Sequence, residues 1–145
     1  MTCTATAYPV TIDYTQSLRE MIAAGKYDDV GPDITAQRFP LTGEGTVTTT
    51  VSLVHFAEPI GSAEASEELE KMCLRPAPLE HLLALHAQHP EVLGELELVA
   101  LGSSWVQRTV RYIPCLDGWN RQRKLGLTWH GLVWDNACRF LATPN

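Results

Sequence analysis

Apolar and polar positions follow two different periods along this chain, and the changes of period mark its elements. Val10-Thr11-Ile12-Asp13-Tyr14 alternates every second residue and is rich in β-branched and aromatic types, which predicts a strand. Ser17 and Glu20 make a capping box. Leu18, Met21 and Ile22 behind it predict a short helix, which Gly25 would close in a left-handed cap. Gly31-Pro32, Pro40 and Gly43 punctuate residues 26–44, predicting an ordered loop with one helical turn near Ile34–Phe39. Thr46 to Phe56 is the clearest strand: Val47, Thr49, Val51 and Leu53 share one face, and the β-branched content disfavours helix.

Ser62 opens a second helix, with Ala65, Leu69, Met72 and Cys73 on its buried stripe and Glu64, Glu67, Glu68 and Glu70 on a solvated face. Pro78 suits the first turn of a third helix, whose stripe is Leu79, Leu82, Leu83 and His86 and which Pro90 stops. Short strands follow at Leu96–Leu101, Val106–Ile113, Lys124–Trp129 and Cys138–Ala142, separated by turn residues such as Asp117-Gly118. Helices in the first two thirds and a strand-rich last third predict an α+β fold on a mixed or antiparallel sheet, not a wound βαβ fold.

The 145 residues suit a single domain, and no apolar run reaches the ~18 residues of a membrane span. Residues 1–7 lack the basic and apolar regions of a signal peptide, so a cytoplasmic, reducing compartment is expected. Cys3, Cys73, Cys115 and Cys138 show no zinc-type spacing; reduced thiols are expected, with a Cys115–Cys138 bridge as the alternative. The net charge of −6 conceals an asymmetry: residues 1–102 carry −10, and residues 103–145 carry +4 together with all four tryptophans. That division points to an interaction surface in the last third.

Candidate chemistry is thin. His81, His86 and His89 share one helix and its end, but no acid completes a metal site with them, and no metal or cofactor is expected. Phosphate-binding glycine motifs are absent, and Gly43-Glu44-Gly45 reads as a turn. Cys115, Cys138, Ser103 and Ser104 are available nucleophiles with His130 nearby, but no nucleophile elbow frames them. A small enzyme using Cys115 or Cys138 with His130 is therefore the alternative reading; a depressed thiol pKa would be its mark.

The leading reading is a non-enzymatic binding module. Its face comprises Trp105, Arg108, Arg111, Trp119, Asn120, Arg121, Arg123, His130 and Asp135, since Trp and Arg dominate binding hot spots. Alternation turns Leu125, Leu127 and Trp129 toward the core and Lys124, Thr128 and His130 outward; Trp134 is also expected in the core. Trp119, beside Gly118 and Asn120-Arg121, is the expected exposed anchor. A protein or glycan ligand is favoured. Nucleic acid ranks lower because the negative net charge opposes phosphate, and burial of the Trp face in a homo-oligomer is a further option.

Three segments, Arg75-Pro76-Ala77-Pro78-Leu79-Glu80-His81-Leu82-Leu83, Ala100-Leu101-Gly102-Ser103-Ser104-Trp105 and Cys138-Arg139-Phe140-Leu141-Ala142, carry a likeness. They resemble the C-type-lectin-like fold of formylglycine-generating-enzyme-like and phage-associated domains, over about residues 74–142. Trp134-Asp135-Asn136 with Cys138 is similar to the calcium segment of animal lectins, but Asp and Asn are exchanged and no Glu-Pro-Asn partner occurs. The resemblance implies a ligand face built from the loops between the last strands, a face that retroelements diversify in some such proteins. From Val10-Thr11-Ile12-Asp13-Tyr14 through Asp33-Ile34-Thr35 to Arg139-Phe140-Leu141, the whole chain also resembles a family of small uncharacterised proteins of uncultured bacteria.

Overall fold

A computed structural model describes residues 2–145. In chain order the elements are β1 (Cys3–Asp13), α1 (Leu18–Ala24), β2 (Asp29–Val30), β3 (Thr46–Phe56), β4 (Ile60–Gly61), α2 (Ser62–Lys71) and β5 (Leu74–Pro76). They continue with α3 (Leu79–Gln88), β6 (Glu97–Val99), β7 (Trp105–Gln107), β8 (Val110–Asp117), β9 (Lys124–Trp129), β10 (Val133–Trp134) and β11 (Cys138–Pro144). The fold is α+β. Nine strands make one mixed sheet in the order β1-β3-β11-β6-β8-β9-β2, with β5 added to β11 and β7 to β8; β4 and β10 pair separately. Most neighbours are antiparallel, but β11 runs parallel to β6 and β2 parallel to β9.

Both faces of this sheet are covered, and the two-residue period of the strands decides what each face receives. Val51 and Leu53 of β3, Leu98 of β6, Leu116 of β8 and Leu141 of β11 face α1 and α3, where Leu18, Met21, Leu79, Leu82 and Leu83 meet them. Val54 and Phe56, Val99, Ile113 and Cys115, and Cys138, Phe140 and Ala142 turn the other way, toward Ala65 and Leu69 of α2 and Trp134 of β10. Central segments such as Leu98-Val99 and Phe140-Leu141-Ala142 are accordingly apolar at every position. Each fully buried aliphatic side chain in these layers stabilises the fold by about 1.5–3 kcal/mol.

Polar side chains pin the loops to this frame. Ser17 and Glu20 form the capping box of α1. Glu80, buried on α3, accepts hydrogen bonds at 2.8 Å from both the amide and the hydroxyl of Thr42, which ties down the long segment after β2. Ser103 Oγ accepts the Leu79 amide at 2.7 Å and so caps α3, whose N-cap residue is Pro78. Among the described residues no helix is long and apolar enough to cross a membrane.

Several sequence expectations are corrected. The first strand begins at Cys3, not Val10. Gly25 lies in the right-handed region (φ −80°), and the left-handed residue is Lys26 (φ 51°). Glycine is needed at 25 for room, because a Cβ there would stand 2.2 Å from the Tyr27 ring. The second helix stops at Lys71, leaving Cys73 exposed and left-handed (φ 61°), not on the buried stripe. Val106–Ile113 is not one strand but a hairpin, with Arg108 and Thr109 between the paired Gln107 and Val110. A Cys115–Cys138 bridge is excluded, because β6 separates their strands. Two strand spacings put their Cα atoms at least about 9.5 Å apart, beyond the reach of a disulfide.

One buried chain of donors joins the second helix to the last strands. Trp134 Nε1 donates to Ser62 Oγ (2.8 Å), and the Ser62 hydroxyl donates to the His130 carbonyl (2.6 Å). Ser62→Ala would leave the buried indole N–H unpaired. A loss of about 1–3 kcal/mol is expected in urea denaturation, with little change in the folded far-ultraviolet spectrum.

Candidate functional site

The β7–β8 hairpin and the end of β9 form the most aromatic surface of the molecule. Trp105 pairs across the ladder with Tyr112, and Tyr112 with Trp129, so three aromatic side chains stand abreast on one face of three neighbouring strands. Trp105 and Tyr112 lie with ring centroids 5.8 Å apart at 30°. The Arg38 guanidinium sits 4.3 Å from the centre of the Trp105 ring, a cation–π contact, and is itself paired with the Asp33 carboxylate. Trp129 is 56% exposed; its ring lies over Gly131, where a Cβ would come within 2.5 Å of it.

Trp105, Gln107, Tyr112 and Leu127 form one wall of an open cleft of about 290 Å³, and Gly31, Pro32 and Asp33 form the other. The hairpin tip is held at Arg108, a left-handed residue (φ 59°) that carries a full side chain. Such backbone costs of order 1 kcal/mol and tends to concentrate at binding sites. On the reverse face of this end Arg111 donates to Ser104 Oγ at 3.1 Å. Its carbonyl accepts the His130 amide at 2.9 Å. Burial, and then the Arg111 charge, hold the His130 imidazole below its ordinary pKa, so it is neutral at neutral pH.

The nine residues expected to form one face divide between two ends of the sheet. Trp105, Arg108, Arg111 and His130 lie at the hairpin end. Trp119, Asn120 and Arg121 occupy a single helical turn beyond the opposite end of β8, whose last residue, Asp117, is five residues or about 17 Å along the strand from Tyr112. Trp119 is 70% exposed, as expected of an anchor. Its amide is held by the Asp117 carboxylate at 2.9 Å, and Asn120 and Arg121 are both left-handed (φ 60°). Arg123 donates its amide to the Asp28 carboxylate at 2.8 Å, which fastens this turn to the start of β2. Asp135 uses its carboxylate locally, accepting the Ala137 amide at 2.9 Å, as a turn residue does.

Sequence reasoning missed three members of the hairpin end. Trp129 was expected in the core with Leu125 and Leu127, but β9 runs out past the covering layer. Leu125 is buried, Leu127 half-buried and Trp129 exposed. Tyr112 could have been found from its place beside Arg111 in an alternating run. Arg38 could not, since only the fold carries its loop to Trp105.

The cysteine alternative meets two obstacles. Burial pushes the Cys115 thiol well above its ordinary pKa and, with Glu97 and Asp135 nearby, pushes Cys138 to about 12. Neither is a thiolate at neutral pH. His130 lies four residues beyond Gly126, the β9 partner of Cys115, or about 13 Å along the strand. Ser103 is occupied as the cap of α3. Among the described residues no three His, Cys, Asp or Glu side chains are placed to hold a metal ion. No protein-family model, curated protein or solved structure matches this chain.

Two histidines of α3 are buried. His86 stacks on Tyr27 with centroids 5.3 Å apart, and neither of its ring nitrogens has a hydrogen-bond partner among the described residues; His81 lacks one at Nδ1. Burial lowers both pKa values from 6.5, assisted at His86 by Arg123. The unfolded chain therefore binds more protons than the folded chain below about pH 6.5. The stability these neutral rings provide is present above that value and is lost as pH falls through the lowered folded pKa values. Urea midpoints should fall between about pH 7.5 and pH 5, and His86→Phe should flatten the slope. An equal slope in the variant would remove His86 from the account.

Proposed function

We propose that the chain is a non-enzymatic binding domain that takes a protein or glycan ligand at the hairpin end of its sheet. The observation that carries this reading is the register of Trp105, Tyr112 and Trp129, which sets three partly exposed aromatic side chains side by side, the first two of them lining a cleft. Large, stiff aromatic rings bury much area at small entropic cost, and a neighbouring guanidinium adds directional donors. Arg38 lies over the Trp105 ring and Arg108 at the hairpin tip, while Arg111 and the neutral His130 extend the surface around the edge. The C-type-lectin-like resemblance of residues 74–142 supports the same placement, because it assigns ligand contact to loops between the last strands. The Trp119–Arg123 turn is too distant to share a small ligand and would serve as a second contact region for a large one. Four unpaired cysteines suit the cytoplasm.

Tryptophan fluorescence titrated with a panel of oligosaccharides and of displayed peptides tests this reading. Replacing Trp129 and Arg111 by alanine should leave the melting temperature unchanged and weaken any hit at least about tenfold. Trp119→Ala with Arg121→Ala should leave a small ligand's affinity unchanged. Loss of binding only in the second pair would move the site to the other end of the sheet. No saturable hit from either panel would overturn the reading.

A further inference from the structure

β1 is an outer strand of the large sheet, paired along its eleven residues with β3, which among the described residues is its one neighbouring strand. Its two halves treat their free edge differently. At Thr11 the amide of Gln88 imitates a strand partner: Oε1 accepts the Thr11 N–H at 2.9 Å, and Nε2 donates to the Thr11 carbonyl at 2.6 Å. His89 Nε2 reaches the Pro9 carbonyl at 2.8 Å, and Pro9 has no N–H to offer. α3 and its end thus close the edge from Pro9 to Thr11, the usual ways in which proteins prevent strand addition.

These contacts also fix the phase of the strand. Thr11 turns both backbone groups away from β3, so by the two-residue period Cys3, Ala5 and Ala7 do the same. Among the described residues no strand faces them. Thr4, Ala5, Thr6 and Ala7 are all exposed, and residues 2–12 carry no charged side chain. An uncharged edge with small side chains and an unbroken register is the kind that accepts another strand. Side chains this small offer little by which a foreign peptide could be selected through its alternate residues.

The segment is, however, complementary to itself. An antiparallel two-fold axis at Ala5 sets Ala5 against its own copy and Cys3 against Ala7, satisfying about six backbone hydrogen bonds and pairing Thr4 with Thr6. We propose that this chain self-associates through residues 3–7 of β1, joining two sheets into one across a two-fold axis, with Pro9, Gln88 and His89 limiting the contact to that segment. The surface is distinct from the hairpin end assigned to ligand, so a dimer leaves both clefts open. The contact is small, and a reversible dimer with a midpoint in the range of about 10–500 µM is expected.

Sedimentation equilibrium of the intact protein from about 10 µM to about 1 mM tests it. Ala5→Pro removes an N–H that β3 does not use, so it should sediment as a monomer with an unchanged circular dichroism spectrum. Ala5→Lys keeps the N–H but sets like charges across the axis; it should be monomeric alone and recover dimers when mixed with Ala5→Glu. Wild-type protein that remains monomeric throughout the range overturns the proposal. So do dimers that persist undiminished in folded Ala5→Pro or in Ala5→Lys alone, since another surface would then be responsible. If Ala5→Pro fails to fold, the Lys and Glu pair decides alone.

Discussion

The structure depends on the insertion of β11 between β3 and β6. This strand is apolar on both faces, pairs antiparallel with β3 and β5, and runs parallel to β6. It therefore links the β1–β3 pair to the β6–β8–β9 meander that carries the aromatic cleft. Removing its side chains would open the layer under α3 and the layer under α2 together, because Leu141 serves one and Phe140 the other. The placement of every candidate contact residue follows from this junction: the sheet beyond β6 is positioned by it, and the hairpin tip extends where no helix covers the strands.

Much of the framework was legible in the sequence. Thr46–Phe56 and Lys124–Trp129 could be bounded correctly from alternation and β-branched content, and the Ser17–Glu20 capping box located the first helix. Elsewhere the deciding forces are tertiary. β2, β4 and β10 are two residues long and exist because a partner strand is present, not because their own residues prefer extension. The Cys-Thr-Ala-Thr-Ala start of β1 has too little apolar contrast to reveal its period. The hairpin at Arg108-Thr109 has neither Gly nor Asn, so it gave no turn signal although its backbone requires a positive φ.

The site was legible as a composition but not as a place. Clustering of Trp and Arg after residue 103 located the strands that carry it. Grouping them as one face ignored the length of β8, which separates Trp119 from Trp105 and Trp129. Alternation also misassigned Trp129, because burial along a strand ends where its covering layer ends, and the sequence does not record that boundary. The opposing wall of the cleft, Gly31-Pro32-Asp33, and the Arg38 that pairs with Asp33 come from a loop that α3 retains through Glu80 and Thr42, a long-range contact without a local signature.

The order of strands in space has a consequence during synthesis. β3 emerges from the ribosome long before β11, its neighbour on one side, and about 80 residues must be added between them. At about 5–20 residues per second, several seconds pass in which the Val51–Phe56 edge has no partner on that side. The nascent chain therefore carries an unpaired apolar strand edge over that interval, and a translational pause within residues 57–137 would lengthen its exposure.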